Sequence, residues 1–241
     1  MRKFLREPIT LEQSRQIVRQ RLMEREKNLL AIVKRAVYEN EKSPYLKLLR
    51  LAGCEYGDFE RMVRSDGVEN TLGKLREEGV YVTQEEFKGM KEIRRGGQVF
   101  SVEARDFDNP FLSRHFERSS SASRSAGTRT GIDFDYLAAQ QAVALILQFD
   151  AYDALGVPHA FSLPILPGGG PTNLLMQAKV GKTPVRWFSP VDKRSFKPSL
   201  KSRLGNNYIV YMGRVLGAKF PGPEYVSPDD TWCIALSRIH I

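Results

Sequence analysis

The sequence predicts an α/β protein, with a helical N-terminal region followed by helices packed on a mixed or parallel sheet. Up to about residue 79, apolar residues recur at helical intervals between charged positions. From about Val80 onward, short β-branched or apolar runs alternate with helical stretches, which is typical of helices that cover a sheet. We therefore expect a helical region over residues 1–79 and an α/β region over residues 80–241, which together form one continuous but incomplete domain.

Several helices are expected in the N-terminal region. Thr10 is the expected N-cap of the first helix. Gly79 is the expected stop of the last one, because glycine adopts the left-handed backbone that ends many helices. The predicted helices are Leu11–Glu39, Tyr45–Leu51, a stretch from Asp58 to a turn at Asp66-Gly67, and Val68–Glu78.

The middle of the chain carries a capping signal and a hairpin signal. Val80–Thr83 is short, β-branched and aromatic, which predicts a strand or an extended link. Thr83 is followed three residues later by Glu86, the spacing of a capping box, and this predicts a short helix through Lys88. Ile93–Val102 contains a Gly-Gly pair between two strand-like runs, which predicts a β-hairpin.

Apolar order returns after residue 130. Ile132 and Phe134 are the expected end of a strand. Asp135–Phe149 carries so little charge in its body that it predicts a mostly buried helix. The remaining predicted elements are a strand at Ala160–Leu166, a tight glycine-rich turn at Pro167–Pro171, a helix at Asn173–Ala178 and a strand at Val185–Phe188.

The bulk composition is that of a soluble globular protein, with 41% hydrophobic and 27% charged residues. The formal net charge is +9. Such a charge fits an anionic partner, whether a nucleotide, a nucleic acid or an acidic lipid, but it does not choose among them. Taken alone, it is explained by a well-solvated surface.

The cysteine and apolar patterns argue against several classes. Cys54 and Cys233 form neither a disulfide framework nor a CxxC motif, and with only three histidines we expect no zinc site. The first residues are basic but no apolar stretch follows them, so no signal peptide is predicted. The longest apolar run, Ala142–Leu147, is far too short to span a bilayer. We expect a cytoplasmic protein with no membrane partner.

The segment Arg118–Thr130 is the most informative for chemistry. It reads RSSSASRSAGTRT, a run of small, hydroxyl-bearing and cationic residues. Small residues let a backbone curl closely around a ligand, so that amides and hydroxyls donate to phosphate oxygens. Arg118, Arg124 and Arg129 add positive charge at the same place. Composition alone supports a flexible serine-rich linker equally well.

The common nucleotide and hydrolase fingerprints are absent from the sequence. There is no GxxxxGK[ST], no GxGxxG and no GxSxG. His159 lies in a loop before a predicted strand, with no acid close to it in the sequence, and we interpret it as a structural residue.

The run from Ala52 to Thr130 resembles the N-terminal region of phenylacetate–CoA ligases, acyl-protein synthetases and related adenylate-forming enzymes. Ala52-Gly53 corresponds to the end of a helix in that family, Asp58-Phe59 to a DL-containing helix, and Thr83–Lys88 to a TxEDLR-like segment. Residues 123–128, SRSAGT, stand where the family has S-G-T-T-G-x. The buried helix, the glycine-rich turn, and the helix and strand after it also follow the family order.

The loop departs from the family pattern. Arg124 stands where glycine is usual, and Ala126 replaces a hydroxyl-bearing residue. No lysine closes the motif, although Arg129 offers a nearby charge. Arg124 either obstructs close approach of a ligand or itself clamps a phosphate. The family's later aromatic-Gly-x-Thr-Glu motif and the lysine of its C-terminal domain are not recognisable before Ile241, and we therefore expect a fragment of a longer ligase.

The resemblance implies a two-step ligation that uses ATP and Mg²⁺. A carboxylic acid would be activated as an acyl-adenylate, and a thiol acceptor, CoA or a protein, would then displace AMP. Fixed donors and cations would stabilise the departing pyrophosphate. The phosphate-binding residues implied are Ser121, Ser123, Arg124, Ser125, Gly127, Thr128 and Arg129. No residue is assigned as catalytic base, nucleophile or metal ligand.

Two other functions stay open at the level of sequence. One is a non-catalytic relative that keeps the fold but has lost ATP binding. The other is a nucleic-acid-binding protein, because the segment Lys179–Phe220 interleaves cations with aromatic residues. We rank nucleic-acid binding below the ligase hypothesis. Two of those aromatic residues, Trp187 and Phe188, lie in a strand-like run that is typical of a protein core.

Overall fold

The computed structural model describes residues 2–111, 116–119, 129–166, 168–190 and 199–227. The chain divides into two compact units, one of residues 1–18 and 113–241 and the other of residues 19–112. Each unit has a hydrophobic core of its own. They are called the sheet unit and the helical unit here.

Helices account for most of the regular structure in the described ranges. Up to residue 111 the elements are α1 (Arg2–Arg6), α2 (Leu11–Met23), α3 (Arg25–Val33), a π-helical turn (Lys34–Tyr38), α4 (Pro44–Leu51), α5 (Tyr56–Glu77), α6 (Gln84–Phe87), β1 (Ile93–Arg95), β2 (Gln98–Phe100) and a 3₁₀ turn (Ala104–Phe107). After residue 111 the elements are β3 (Phe116–Ser119), β4 (Arg129–Ile132), α7 (Phe134–Tyr136), a π-helical stretch (Leu137–Ala142), α8 (Val143–Ala151), β5 (Ala160–Ser162), α9 (Gly170–Lys179), β6 (Arg186–Ser189), α10 (Leu200–Val215) and β7 (Pro223–Tyr225).

The core of the helical unit lies between α3, α4 and α5. It is built from apolar side chains such as Leu30, Leu49, Phe59, Val63 and Leu75, all of them buried. Residues three, four or seven positions apart on a helix share one face, and this places Phe59 and Val63 of α5 together in the core.

The prediction of one helix over Leu11–Glu39 is wrong. α2 ends at Met23 and α3 begins at Arg25, and between them Glu24 leaves helical geometry with φ −96° and ψ 15°. The last part of the predicted helix has π-helical rather than α-helical hydrogen bonds. No glycine or proline lies in this range, so the sequence carries no local signal for the break.

The glycine stops and the capping box are confirmed. Gly67 has φ 80° and interrupts α5 at the predicted turn, and Gly79 has φ 88° just after the helix ends. Thr83 Oγ1 accepts from the Glu86 backbone N–H at 3.2 Å, while Glu86 Oε2 accepts from the Thr83 N–H at 2.7 Å. The predicted hairpin is present as the antiparallel pair β1–β2, closed by Gly96 and Gly97.

A bidentate ion pair fastens the β1–β2 hairpin to α6. Arg95 donates to both carboxylate oxygens of Glu86, at 3.1 and 3.2 Å. The carboxylate is buried, which acts to raise its pKa. The Thr83 N–H and Arg95 outweigh that effect, so the pKa of Glu86 lies below its ordinary value.

The sheet unit contains a three-stranded parallel sheet in the order β5-β6-β7. The predicted α/β class is therefore confirmed in its coarse form, with a sheet smaller than the alternation of segments suggested. Trp187 on β6 is fully buried, and its ring stacks on Phe161 of β5 at 5.8 Å between centroids. Leu174 and Leu175 of α9 pack into the same core.

Three predicted boundaries in the sheet unit are wrong. β5 ends at Ser162, not at Leu166, because the N–H of Ile165 donates to the side-chain Oγ of Ser189, at 3.2 Å, and not to a backbone carbonyl of β6. α9 begins at Gly170, before the predicted Asn173, with Pro171 in its first turn, where proline is tolerated. Phe134 belongs to α7 and not to a strand end.

Candidate functional site

The Ser/Arg-rich segment is held at its base by an antiparallel hairpin. β3 pairs with β4 over four registered residue pairs, from Phe116 with Ile132 to Ser119 with Arg129. Ser119 and Arg129, the residues on either side of 120–128, therefore lie opposite each other in the ladder. The segment does not join two separate bodies, because both of its ends lie in the sheet unit.

Most residues of the implied phosphate site lie outside the described residues: Ser121, Ser123, Arg124, Ser125, Gly127 and Thr128. Arg129 lies in β4, where only the backbone is described. What the structure brings together is thus the two ends of the loop, at Ser119 and Arg129.

Asp133 fixes the direction of the chain as it leaves this hairpin. Its side chain is buried, and its Oδ1 accepts from the N–H groups of Asp135 at 2.7 Å and Tyr136 at 3.0 Å. This cap starts a continuous helical run from α7 through α8. The helix axis therefore begins directly after β4. Sequence reasoning missed this cap, although an aspartate just before an apolar helical pattern is a signal for it.

The glycine-rich turn between β5 and α9 is explained by close packing. An added Cβ at Gly170 would lie 2.7 Å from Cε2 of Trp187 and 2.9 Å from the carbonyl oxygen of Pro164, so no larger residue fits. The N–H of Gly168 donates to Ile165 O at 2.7 Å, and that of Gly170 donates to Pro164 O at 3.0 Å. Helix N-termini at the carboxyl ends of parallel strands often bind anions. Here these two amides are already engaged.

A shallow cavity of about 500 Å³ lies beside the N-terminal segment of the sheet unit. Lys179 reaches it from the end of α9. Its side chain is buried, and Nζ donates to the carbonyl oxygens of Phe4, at 3.1 Å, and Glu7. The lining residues are Glu7, Pro8, Ile9, Gln13, Gln16, Ile17, Asp135, Ala138, Ala139 and Lys179.

Lys179 serves to hold the N-terminal segment in place. Its backbone carbonyl also accepts from the N–H of Ile9 at 2.7 Å, and its ammonium group lies 5.1 Å from the centre of the Phe4 ring. Burial lowers the pKa of Lys179, against the opposing effect of Glu7. Two N–H groups of its ammonium donate to backbone carbonyls, so we interpret Lys179 as an anchor for this segment and not as a reactive group. A lysine at the end of a helix is too common a pattern to predict this role.

His159 forms part of a polar chain along α9. Its Nε2 contacts Oε1 of Gln177, and Nε2 of Gln177 donates to Oδ1 of Asn173. The imidazole ring lies 5.0 Å from the Phe149 ring. These amide and aromatic neighbours agree with the structural role expected for His159.

The basic segment after α9 divides its aromatic residues between core and surface. Trp187, Phe188 and Phe220 are buried, as expected for the first two. Tyr208 and Tyr211 of α10 are exposed at 61% and 65%. Phe196 lies outside the described residues.

Two structural features are absent from the part of the chain that the structure describes. It shows no group of three or more His, Cys, Asp or Glu side chains close enough to hold a metal ion. Nor does any helix there have the length and apolar character needed to cross a membrane.

Comparison with known proteins returned nothing that places the chain in a family. No family model matches, no curated protein matches, and no solved structure matches.

Proposed function

We propose that this chain is the N-terminal portion of an AMP-forming ligase that activates a carboxylic acid with ATP. The observation that carries the proposal is the β3–β4 hairpin. It holds both ends of a loop whose residues are small, hydroxyl-bearing and cationic. Successive backbone N–H groups in a turn of small residues form the concave sites that bind anions in other proteins.

The proposed chemistry belongs to loop 120–128 and its flanking arginine. The amides and hydroxyls around Ser123, Ser125 and Thr128 donate to phosphate oxygens, and Arg124 or Arg129 balances their charge. Bound ATP would supply the electrophilic phosphorus, and Mg²⁺ would neutralise part of the phosphate charge. The chain's own role is electrostatic, because donors that are already oriented stabilise the departing pyrophosphate without reorganisation.

The order of elements supports the same proposal. The Ser/Arg-rich segment is followed by a capped helix, then a parallel strand, a glycine-rich turn, a helix and a second parallel strand. This is the order expected from the resemblance. The acid that is activated and the thiol acceptor, CoA or a protein, follow from the resemblance only.

Calorimetric titration with Mg-ATP tests the proposal. We expect saturable binding, and at a hundred times the dissociation constant the free energy of unfolding should rise by about 2.7 kcal/mol. Replacing Ser123, Ser125 and Thr128 together by alanine removes three hydroxyl donors and should weaken binding about tenfold or more. A matched control is the exposed Ser101→Ala in the helical unit, which should leave binding unchanged.

Arg124→Ala separates the two roles that its position allows. If the guanidinium clamps a phosphate, binding weakens; if it obstructs the loop, binding tightens. Arg94→Ala is the control, because Arg94 is an exposed arginine paired with Glu92 at 2.8 Å. Absence of any Mg-ATP binding by the unsubstituted chain contradicts the proposal and favours the non-catalytic relative.

A further inference from the structure

The outward face of α10 carries a continuous apolar and aromatic stripe. The five side chains on it are between 59% and 70% exposed: Leu200, Leu204, Tyr208, Tyr211 and Val215. The opposite face packs into the sheet unit through Asn206, Ile209, Val210 and Gly213, which are all buried. A helix that is apolar on two opposite faces usually has both faces covered.

The stripe has the geometry of a seam for one further helix. At 100° per residue, its members fall within about 80° of the helix circumference, centred opposite the buried face. From Leu204 the steps are four, three and four residues, the alternation of a coiled-coil seam. The stripe runs the length of α10, about 24 Å at 1.5 Å per residue.

The flanks of this seam are cationic. Lys201 lies on one side of the stripe and Arg203 and Arg214 on the other, and all three are exposed. The sequence from Leu200 to Val215 contains no aspartate or glutamate. A second copy of this helix would bring like charges together along both flanks, so the charge pattern opposes self-association.

We propose that the α10 seam docks an acidic amphipathic α-helix of a partner protein. Apolar side chains of that helix would pack on Tyr208, Tyr211 and their neighbours, and its carboxylates would face the flanking cations. An anionic membrane would bury a broader apolar face than a stripe of about 80°. A single-stranded nucleic acid would stack on the two tyrosines but would leave the three aliphatic residues unused.

The test uses a synthetic helical peptide of about three heptads with Leu at positions a and d and Glu at e and g. Binding of the labelled peptide to the full chain is measured by fluorescence anisotropy. We expect the acidic peptide to bind and its Lys-for-Glu counterpart not to bind. Tyr208→Ser with Tyr211→Ser should weaken binding at least tenfold. Tyr152→Ser is the matched control, because Tyr152 is 83% exposed outside α10.

Charge reversal provides a second arm that does not depend on the apolar contacts. Lys201→Glu with Arg203→Glu should weaken binding of the acidic peptide and permit binding of the basic one. The proposal is overturned if the acidic peptide fails to bind or ignores both pairs of substitutions. It is also overturned if the peptide does not bind but phosphatidylserine vesicles or a single-stranded oligonucleotide do, and if the Tyr208 and Tyr211 substitutions abolish that binding. Concentration-dependent dimerisation through these tyrosines would overturn it as well.

Discussion

Gly170→Ala probes the contact that places α9 against the sheet. The new Cβ would clash with the ring of Trp187, and the surrounding contacts hold this ring in place. That ring is fully buried, stacks on Phe161, and donates from Nε1 to the carbonyl oxygen of Leu163 at 2.7 Å. Forcing an extra methyl group into a packed core costs about 1–3 kcal/mol. In a unit of this size each kcal/mol lowers Tm by about 2–4 °C, so we expect a fall of about 2–12 °C.

The assay is thermal unfolding followed by tryptophan fluorescence, with Gly156→Ala as the matched control. No atom lies within 4 Å of a Cβ built at Gly156, and its φ is not positive. Alanine there should raise stability slightly, by up to about 1 kcal/mol, because it restricts the unfolded chain. If Gly170→Ala unfolds at the same temperature as Gly156→Ala, the packing explanation of the glycine-rich turn is refuted.

Two further substitutions test the buried charges, one in each unit. Glu86→Gln should cost about 1.5–3 kcal/mol at neutral pH, measured by urea unfolding, because it removes the charge that binds Arg95 while keeping an acceptor for Thr83. The pKa of Glu86 is lowered in the folded protein, so its contribution is complete above the unfolded pKa of about 4.3 and is lost as the pH falls through the folded pKa. The difference between the two proteins should therefore shrink below about pH 4, and a constant difference would refute this reasoning. Lys179→Met keeps the apolar stem but leaves the carbonyl of Phe4 without its donor, which should cost about 1–3 kcal/mol. Trypsin should therefore cleave the N-terminal segment faster in the variant. An unchanged cleavage rate would show that Lys179 does not anchor this segment.

Local sequence signals predicted the elements that local chemistry determines. Thr83 and Glu86 satisfy each other's backbone groups within one turn, so their spacing alone specifies the cap. The hairpin around Gly96 and Gly97 follows from the backbone conformations that only glycine adopts readily. The break at Gly67 has the same origin.

The elements that sequence reasoning missed depend on distant partners or on conflicting patterns. β7 is a short run with a proline and a glutamate, and it is a strand because it pairs with β6, some 35 residues earlier in the chain. α10 was not predicted because apolar residues lie on two of its faces, which blurs the single-sided periodicity of an ordinary surface helix. The break at Glu24 has no glycine or proline to announce it.

The candidate site was predicted from the composition of residues 118–130, and the structure describes only the strands on either side of residues 120–128. Sequence alone left residues 120–128 equally consistent with a flexible linker and with a phosphate loop. The ladder from Phe116–Ser119 to Arg129–Ile132 joins the two ends of that segment within one unit, and the phosphate loop stays a prediction. Lys179 was missed because its role depends on which backbone carbonyls the fold brings near it. Asp133 was missed although an aspartate just before an apolar helical pattern is a local signal for an N-cap.

Hydrogen–deuterium exchange with and without Mg-pyrophosphate tests most directly whether the amides of residues 120–128 hold an anion. Slower exchange in the peptides that cover these residues is the expected result, with no change at the exposed turn of Gly96 and Gly97, which serves as the internal reference. Equal exchange throughout residues 120–128 with and without pyrophosphate, at every pyrophosphate concentration tested, would contradict anion binding by these amides.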